Sequence, residues 1–204
     1  MRKRPQITKY NKKLIFGIGS GRCGTKSLAY LLNAQENANI SHELGGRPFL
    51  PWKFNINKLN QAMKEIISRK SNICGDVAFY WLPYMNYIIN NYKDVHIIII
   101  KRDREETLQS YLRWTSIHDY WYPEKQWNSS YPDHKMKYKN KENFFKYFWE
   151  TYYNKTNLLL KKYNKSYEIK TNDLNNRNKM KHIFVNKIGM KHFRHIYVQK
   201  NRTN

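Results

Sequence analysis

Residues 14–32, LIFGIGSGRCGTKSLAYLL, constrain this chain more than any other stretch, because an apolar strand runs straight into a glycine-rich turn and then into an amphipathic helix. Gly17, Gly19, Gly21 and Gly24 let the backbone turn and approach an anion closely, while free N–H groups at the start of the helix point at it. Arg22, Thr25, Lys26 and Ser27 add charge and hydroxyl donors to the same turn. The stretch reads as a phosphate cradle.

A Walker A loop is the obvious first reading, but in G-x-x-x-x-G-K-[ST] counted from Gly19 the lysine belongs at position 25, where the chain has Thr25. A kinase would also need a strand-end aspartate for magnesium, and none is in place. A second segment, VHIIIIKRDREETLQSYLRW at 95–114, is again a buried strand, a charged turn and a helix. An arginine at the strand's end and a serine two turns along the helix can converge on one phosphate, and Arg102 and Ser110 have that spacing.

Together, R-x-G-T-x-S-L after one strand and R-D-x-x-x-x-x-x-S-Y after a later one resemble the sulfotransferases that use 3'-phosphoadenosine 5'-phosphosulfate. The resemblance covers about 13–190, with YEIKTNDL and IFVNKIGM as a weaker third match. It implies a three-layer α/β fold, similar to that of the P-loop nucleotide triphosphatases, with a central, mostly parallel β-sheet flanked by helices. It also implies that Gly21, Arg22, Cys23, Gly24, Thr25, Lys26 and Ser27 hold the 5'-phosphosulfate, and that Arg102 and Ser110 hold the 3'-phosphate. Arg22 stands where many cytosolic members have lysine and other members arginine. Lys26 replaces the usual second threonine, and either touches the donor or sits on the helix.

Element order supports the same architecture. A flexible basic arm at 1–12 precedes a strand at about 13–18 and a helix at about 24–34; 41–52 reads as a loop, and Leu59, Met63, Ile66 and Ile67 share one face of the next helix. A strand at 73–77 leads to a helix with Pro83 in its first turn. After the strand 95–100 and the helix from about 105, residues 116–140 read as a long irregular segment or lid. Phe145, Phe148, Trp149, Tyr152, Leu159, Leu160 and Tyr163 form a core stripe, followed by a strand at 166–170 and a helix at about 173–188 that ends at Gly189. A single domain is expected over 13–195, with a tail at 196–204.

Sulfuryl transfer needs donor positioning, stabilisation of the departing phosphate and removal of the acceptor's proton. Arg22 suits the second task, since a guanidinium stays charged. For the base, Glu43 leads: it lies 21 residues after Arg22, a separation resembling that of the catalytic glutamate in protein-tyrosine sulfotransferases. Asp76 follows a strand end where heparan-type members carry a glutamate base, and could equally cap a turn; His42 ranks third. Asp103 is expected to cap the following helix, with Arg104, Glu105 and Glu106 on a solvated face. His118, Trp121 and Trp127, and Arg47 and Trp52, could wall an acceptor or pack on the core.

Net charge limits the partners. With 38 Lys+Arg against 15 Asp+Glu the chain carries +23, which attracts anions. An acidic acceptor is one source of that demand, while a nucleic-acid-binding domain is the rival reading, although no helix-turn-helix, zinc-finger or ribonucleoprotein motif occurs. A degenerate sulfotransferase that binds nucleotide without turnover is a third. Two cysteines indicate no disulfide framework, and the absence of a signal-like or spanning segment leads to the expectation of a soluble cytoplasmic enzyme. The transfer requires no metal, and the histidines lack ligand spacing. The expected acceptor is a hydroxyl, or an amine, on a carbohydrate or small metabolite, with a protein-tyrosine enzyme as the alternative.

Overall fold

The computed structural model describes residues 11–46, 50–117 and 140–198. Its frame follows from where apolar residues run without interruption. Strand β4 (Val95–Lys101, VHIIIIK) has six consecutive buried residues, so both of its faces must be covered. Around it stand β1 (Lys13–Ile18), β2 (Ala38–His42), β3 (Ile73–Val77) and β5 (Ser166–Lys170), in the order β2-β3-β1-β4-β5 with every pairing parallel.

Seven helical segments accompany the described strands: α1 (Thr25–Asn33), the single turn α2 (Glu43–Gly46), α3 (Ile56–Ser68), α4 (Met85–Asn91), α5 (Arg104–Ile117), α6 (Lys141–Lys162) and α7 (Arg177–Lys181). Period-two alternation splits the core between them. Leu14, Phe16, Ile97 and Ile99 pack with α3, α4, α5 and α6, whereas Ile15, Ile98 and Ile100 pack with α1 and α7. The result is the three-layer α/β architecture expected from the sequence. No helix among the described residues is long and apolar enough to cross a membrane.

Three expectations change. Residues 41 and 42, read as loop, complete β2, an edge strand whose sequence ANISH has Ile40 as its only buried side chain. With one apolar position there is no alternation to detect. The helix expected at about 173–188 is three pieces, a 3₁₀ turn at Thr171–Asn175, α7, and a π-helical segment at His182–Lys187, before Gly189 takes φ 76°. Pro83 sits inside a 3₁₀ turn (Phe79–Tyr84) that leads into α4. At the end of the N-terminal arm, Lys12 donates to the Arg69 carbonyl. Arg47, His118, Trp121 and Trp127 lie outside the described residues, as do most of the arm, the lid segment and the last residues of the tail.

The order of the strands locates the functional end. From β1 the chain leaves through α1 toward β2, and from β3 it crosses back past β1 to β4. The loops after β1 and β4 therefore part at the C-terminal edge of the sheet, where open α/β sheets hold ligands.

Candidate active site

The loop after β1 owes its shape to left-handed backbone. Gly21 has φ 87°, Arg22 53° and Gly24 96°. Such alternation turns successive N–H groups into one concavity. Gly24 is the N-cap of α1 and offers no side-chain cap, so the first turn of the helix presents its donors toward the cleft. Tyrosines from two helices brace this loop from behind. Tyr111 donates to the Ser20 carbonyl, Tyr153 donates to the Ile100 carbonyl at 2.8 Å, and the Ser20 N–H donates to Tyr153 Oη at 3.4 Å.

The brace makes Gly21 a sensitive position. A Cβ there would run into the Tyr111 hydroxyl. Left-handed backbone costs a non-glycine residue about 1–2 kcal/mol, and displacing a buried hydroxyl adds to it. Gly21→Ala is expected to destabilise the protein by about 3 kcal/mol and lower Tm by roughly 6–12 °C in a thermal melt. An unchanged Tm would show that the loop relaxes freely.

A cleft of about 310 Å³ opens over this loop. Its walls include Gly21, Arg22, Gly24, Thr25, Lys26, Ser27, His42, Glu43, Arg102 and Ser110, so residues far apart in the chain meet here. Arg22 Nε donates to Ser110 Oγ at 3.1 Å, and Arg102 Nη1 donates to the Arg22 carbonyl at 3.3 Å. The Arg22 guanidinium also lies 5.8 Å over the Trp114 ring. Two guanidiniums, a serine hydroxyl and an uncapped helix thus face one space, an arrangement suited to a ligand carrying more than one anionic group.

Cys23 and Asp76 are not among the lining residues. The Cys23 side chain is fully buried, burial pushes its thiol up to about 11, and its carbonyl accepts from Thr171 Oγ1 at 2.7 Å. Asp103 caps α5 as expected, accepting from the Glu106 N–H at 3.0 Å. Glu106 is exposed, as expected of a solvated face, and from there it also lines the cleft and accepts from Arg102 Nε at 2.9 Å. Trp52 is half-buried and packs on the core, edge-on to Phe148 at 5.9 Å, with Lys155 5.2 Å from its ring.

Phe79, Tyr111, Trp114, Thr171 and Asn172 complete the walls and were not among the candidate site residues. Trp114 carried a signal, since it follows Ser110 by one helical turn and must share its face. Thr171 and Asn172 follow the end of β5, where ligand residues gather in such sheets. Nothing local marks Phe79.

Of the three candidate bases, His42 and Glu43 line the cleft and Asp76 is buried behind them. Thr25 Oγ1 is 3.1 Å from His42 Nε2, and burial with the nearby Lys26 charge lowers His42 to about 4. That imidazole is neutral at pH 7 and a weak proton acceptor. Glu43 behaves oppositely: burial raises its carboxyl to about 7, the Asp76 charge adds to the rise, and Arg22 opposes it. A carboxyl poised near neutral pH in a cleft is what proton transfer requires. Asp76 is fully buried, with Oδ1 accepting from the Ser41 hydroxyl at 2.6 Å and the Leu44 N–H at 2.9 Å, and Oδ2 from the Trp81 indole at 2.7 Å. It cannot meet an acceptor in the cleft directly.

Compared by sequence, the chain matches no protein-family model and none of the curated proteins. Compared by structure, it is similar to a sulfotransferase from Alicyclobacillus acidocaldarius, with TM-score 0.61 and 13% identity over 95% of this chain and 86% of that one. It is also similar to the sulfotransferase domain from the curacin biosynthetic pathway, with TM-score 0.55 and 11% identity over 89% of this chain and 75% of that one.

Proposed function

We propose that this chain, which has the sulfotransferase fold, transfers a sulfuryl group from 3'-phosphoadenosine 5'-phosphosulfate to a hydroxyl, or an amine, of an acceptor by direct in-line displacement. The observation that carries the reading is the convergence of Arg22, Ser110 and Arg102 on one cleft beside the uncapped start of α1. A donor with phosphate groups at both ends of its ribose carries more than one anionic group, which suits a cleft lined by two guanidiniums and a helix N-terminus.

In this reading the first-turn N–H groups of α1, with Thr25 and Ser27, hold the 5'-phosphosulfate, and Arg102 and Ser110 hold the 3'-phosphate. Arg22 stabilises the charge that develops on the departing phosphate. The sulfur–oxygen bond to that phosphate breaks as the bond to the acceptor oxygen forms, and Glu43 takes the acceptor's proton. Lys26 lines the cleft beside His42, where its ammonium favours an acidic acceptor. We infer a carbohydrate or a small hydroxyl-bearing metabolite. Both described cysteines are free and buried, which suits a reducing compartment such as the cytoplasm.

Calorimetric titration with 3'-phosphoadenosine 5'-phosphate tests the reading, with ATP and a short oligonucleotide as controls. Micromolar binding selective over ATP is expected. Arg102→Ala should weaken it about 100-fold, the effect of removing one partner of a charge-assisted contact. Absence of binding, or tighter and steeply salt-dependent binding of the oligonucleotide, would replace this reading with the nucleic-acid one.

A further inference from the structure

Glu43 sits on an improbable piece of backbone. Both Glu43 (φ 51°) and Leu44 (φ 49°) are left-handed, two consecutive non-glycine residues in a region each enters at a cost of about 1–2 kcal/mol. Such a turn persists only where its surroundings over-determine it. One side chain reaches the turn's backbone from the sheet beneath: Asp76, which accepts the Leu44 N–H through Oδ1.

That carboxyl group is itself held from several elements. Ser41 of β2 donates to Oδ1; from the 3₁₀ turn, Trp81 Nε1 donates to Oδ2 at 2.7 Å and the Tyr80 hydroxyl at 3.4 Å. Arg69, at the end of α3, donates through Nη2 to Ser41 Oγ at 2.9 Å and through Nη1 to the carbonyls of Gly75 at 2.6 Å and Asn39 at 3.1 Å. A chain of hydrogen bonds therefore runs from Arg69 through Ser41 and Asp76 to the backbone one residue beyond Glu43. These contacts are additional to the β2–β3 pairing, which sets Ser41 opposite Asp76.

We propose that Asp76 is a positioning residue, whose buried carboxylate clamps the left-handed Glu43–Leu44 turn to the ends of β2 and β3 and so holds the Glu43 side chain in the cleft. The inference rests on the reading of Glu43 as the proton acceptor. Asp76 acts through Glu43 and does not touch substrate. Burial is the main cause of the raised Glu43 carboxyl and the Asp76 charge adds to it; burial raises the Asp76 carboxyl as well, opposed by the donors from Ser41, Trp81 and Leu44. The other charged or titratable groups around the pair are Arg22 from the loop, His42 from β2 at 3.9 Å from Glu43, Tyr80 from the 3₁₀ turn, and Arg69 and Glu65 from α3.

The test is the titration of Glu43 followed by carboxyl carbon NMR, assigned with Glu43→Gln, in wild type and Asp76→Asn, together with the Leu44 amide resonance. Removal of the charge and loosening of the turn both ease ionisation. The Glu43 midpoint should therefore fall by about one pH unit or more, and the Leu44 amide proton should move upfield as its bond to a carboxylate weakens. A folded Asp76→Asn protein with both signals unmoved overturns the proposal. Should that variant fail to fold, Ser41→Ala, which removes one donor to Oδ1, should shift the Leu44 amide, and an unmoved amide there overturns it equally. Titration of the same samples with 3'-phosphoadenosine 5'-phosphate keeps the two readings apart: loss of nucleotide binding in wild type sinks the sulfotransferase reading, while the clamp stands or falls on the NMR signals alone.

Discussion

Replacing Glu43 with Gln is expected to cut turnover about 10²–10⁴-fold while nucleotide affinity stays within a few-fold, because a general base contributes about that much and the amide cannot accept the proton. With the carboxyl near 7, the wild-type kcat/KM should fall about tenfold per pH unit below that value, and the variant's residual rate should lose this dependence. The same substitution should stabilise the protein at high pH. The folded pKa lies above the ordinary 4.5, so burial favours the protonated form: that contribution is fully present below about 4.5 and is lost as pH rises through 7. At pH 8 Glu43→Gln should therefore gain about 2 kcal/mol, roughly 4–8 °C in Tm, and at pH 4.5 almost nothing. His42 has the opposite sign. Its pKa is depressed to about 4, so its contribution is present above 6.5 and is lost as pH falls through 4. A pH-rate profile and melts at two pH values check all of this; retained turnover in Glu43→Gln would remove Glu43 from the chemistry.

Arg22→Ala should lower turnover by about 10²–10³, the loss typical when one donor to a developing oxyanion is removed. Because the Arg22 guanidinium also bonds Ser110 and lies over Trp114, nucleotide affinity should fall as well, but less than turnover. Arg22→Lys keeps a charge and loses the planar fork that reaches Ser110 and the ligand together, so about a tenfold loss is expected. Single-turnover kinetics with saturating donor separate the two effects. If Arg22→Ala changed only donor affinity, the arginine would be a binding contact and the leaving phosphate would be stabilised elsewhere.

The cradle and the Arg102–Ser110 pair were legible because their chemistry is local: a glycine turn between strand and helix, and two donors eight residues apart whose spacing brings them to one end of a strand and the helix after it. The same holds for β1 and β4, which are apolar runs, for β3, with apolar residues at both ends, and for β5, where Tyr167 and Ile169 alternate with polar neighbours. β2 was hidden because an edge strand needs few buried side chains, and the pieces from Thr171 to Lys187 were hidden because short 3₁₀ and π turns share the periodicity of one helix within a residue or two.

What the sequence determined by itself was the class of fold and the glycine turn at the head of α1, since alternation, glycine and capping act over a few residues. Only the tertiary structure decided which carboxylate faces the cleft. From sequence both are acidic candidates, Glu43 in a loop and Asp76 at a strand end. Parallel pairing of β2 with β3 sets Ser41 beside Asp76 in register, which draws Asp76 into the core and leaves Glu43 to project from the turn above it. Burial, and with it the separation of the two carboxyls into one held among hydrogen-bond donors and one facing the cleft, is a property of that packing and of no segment alone.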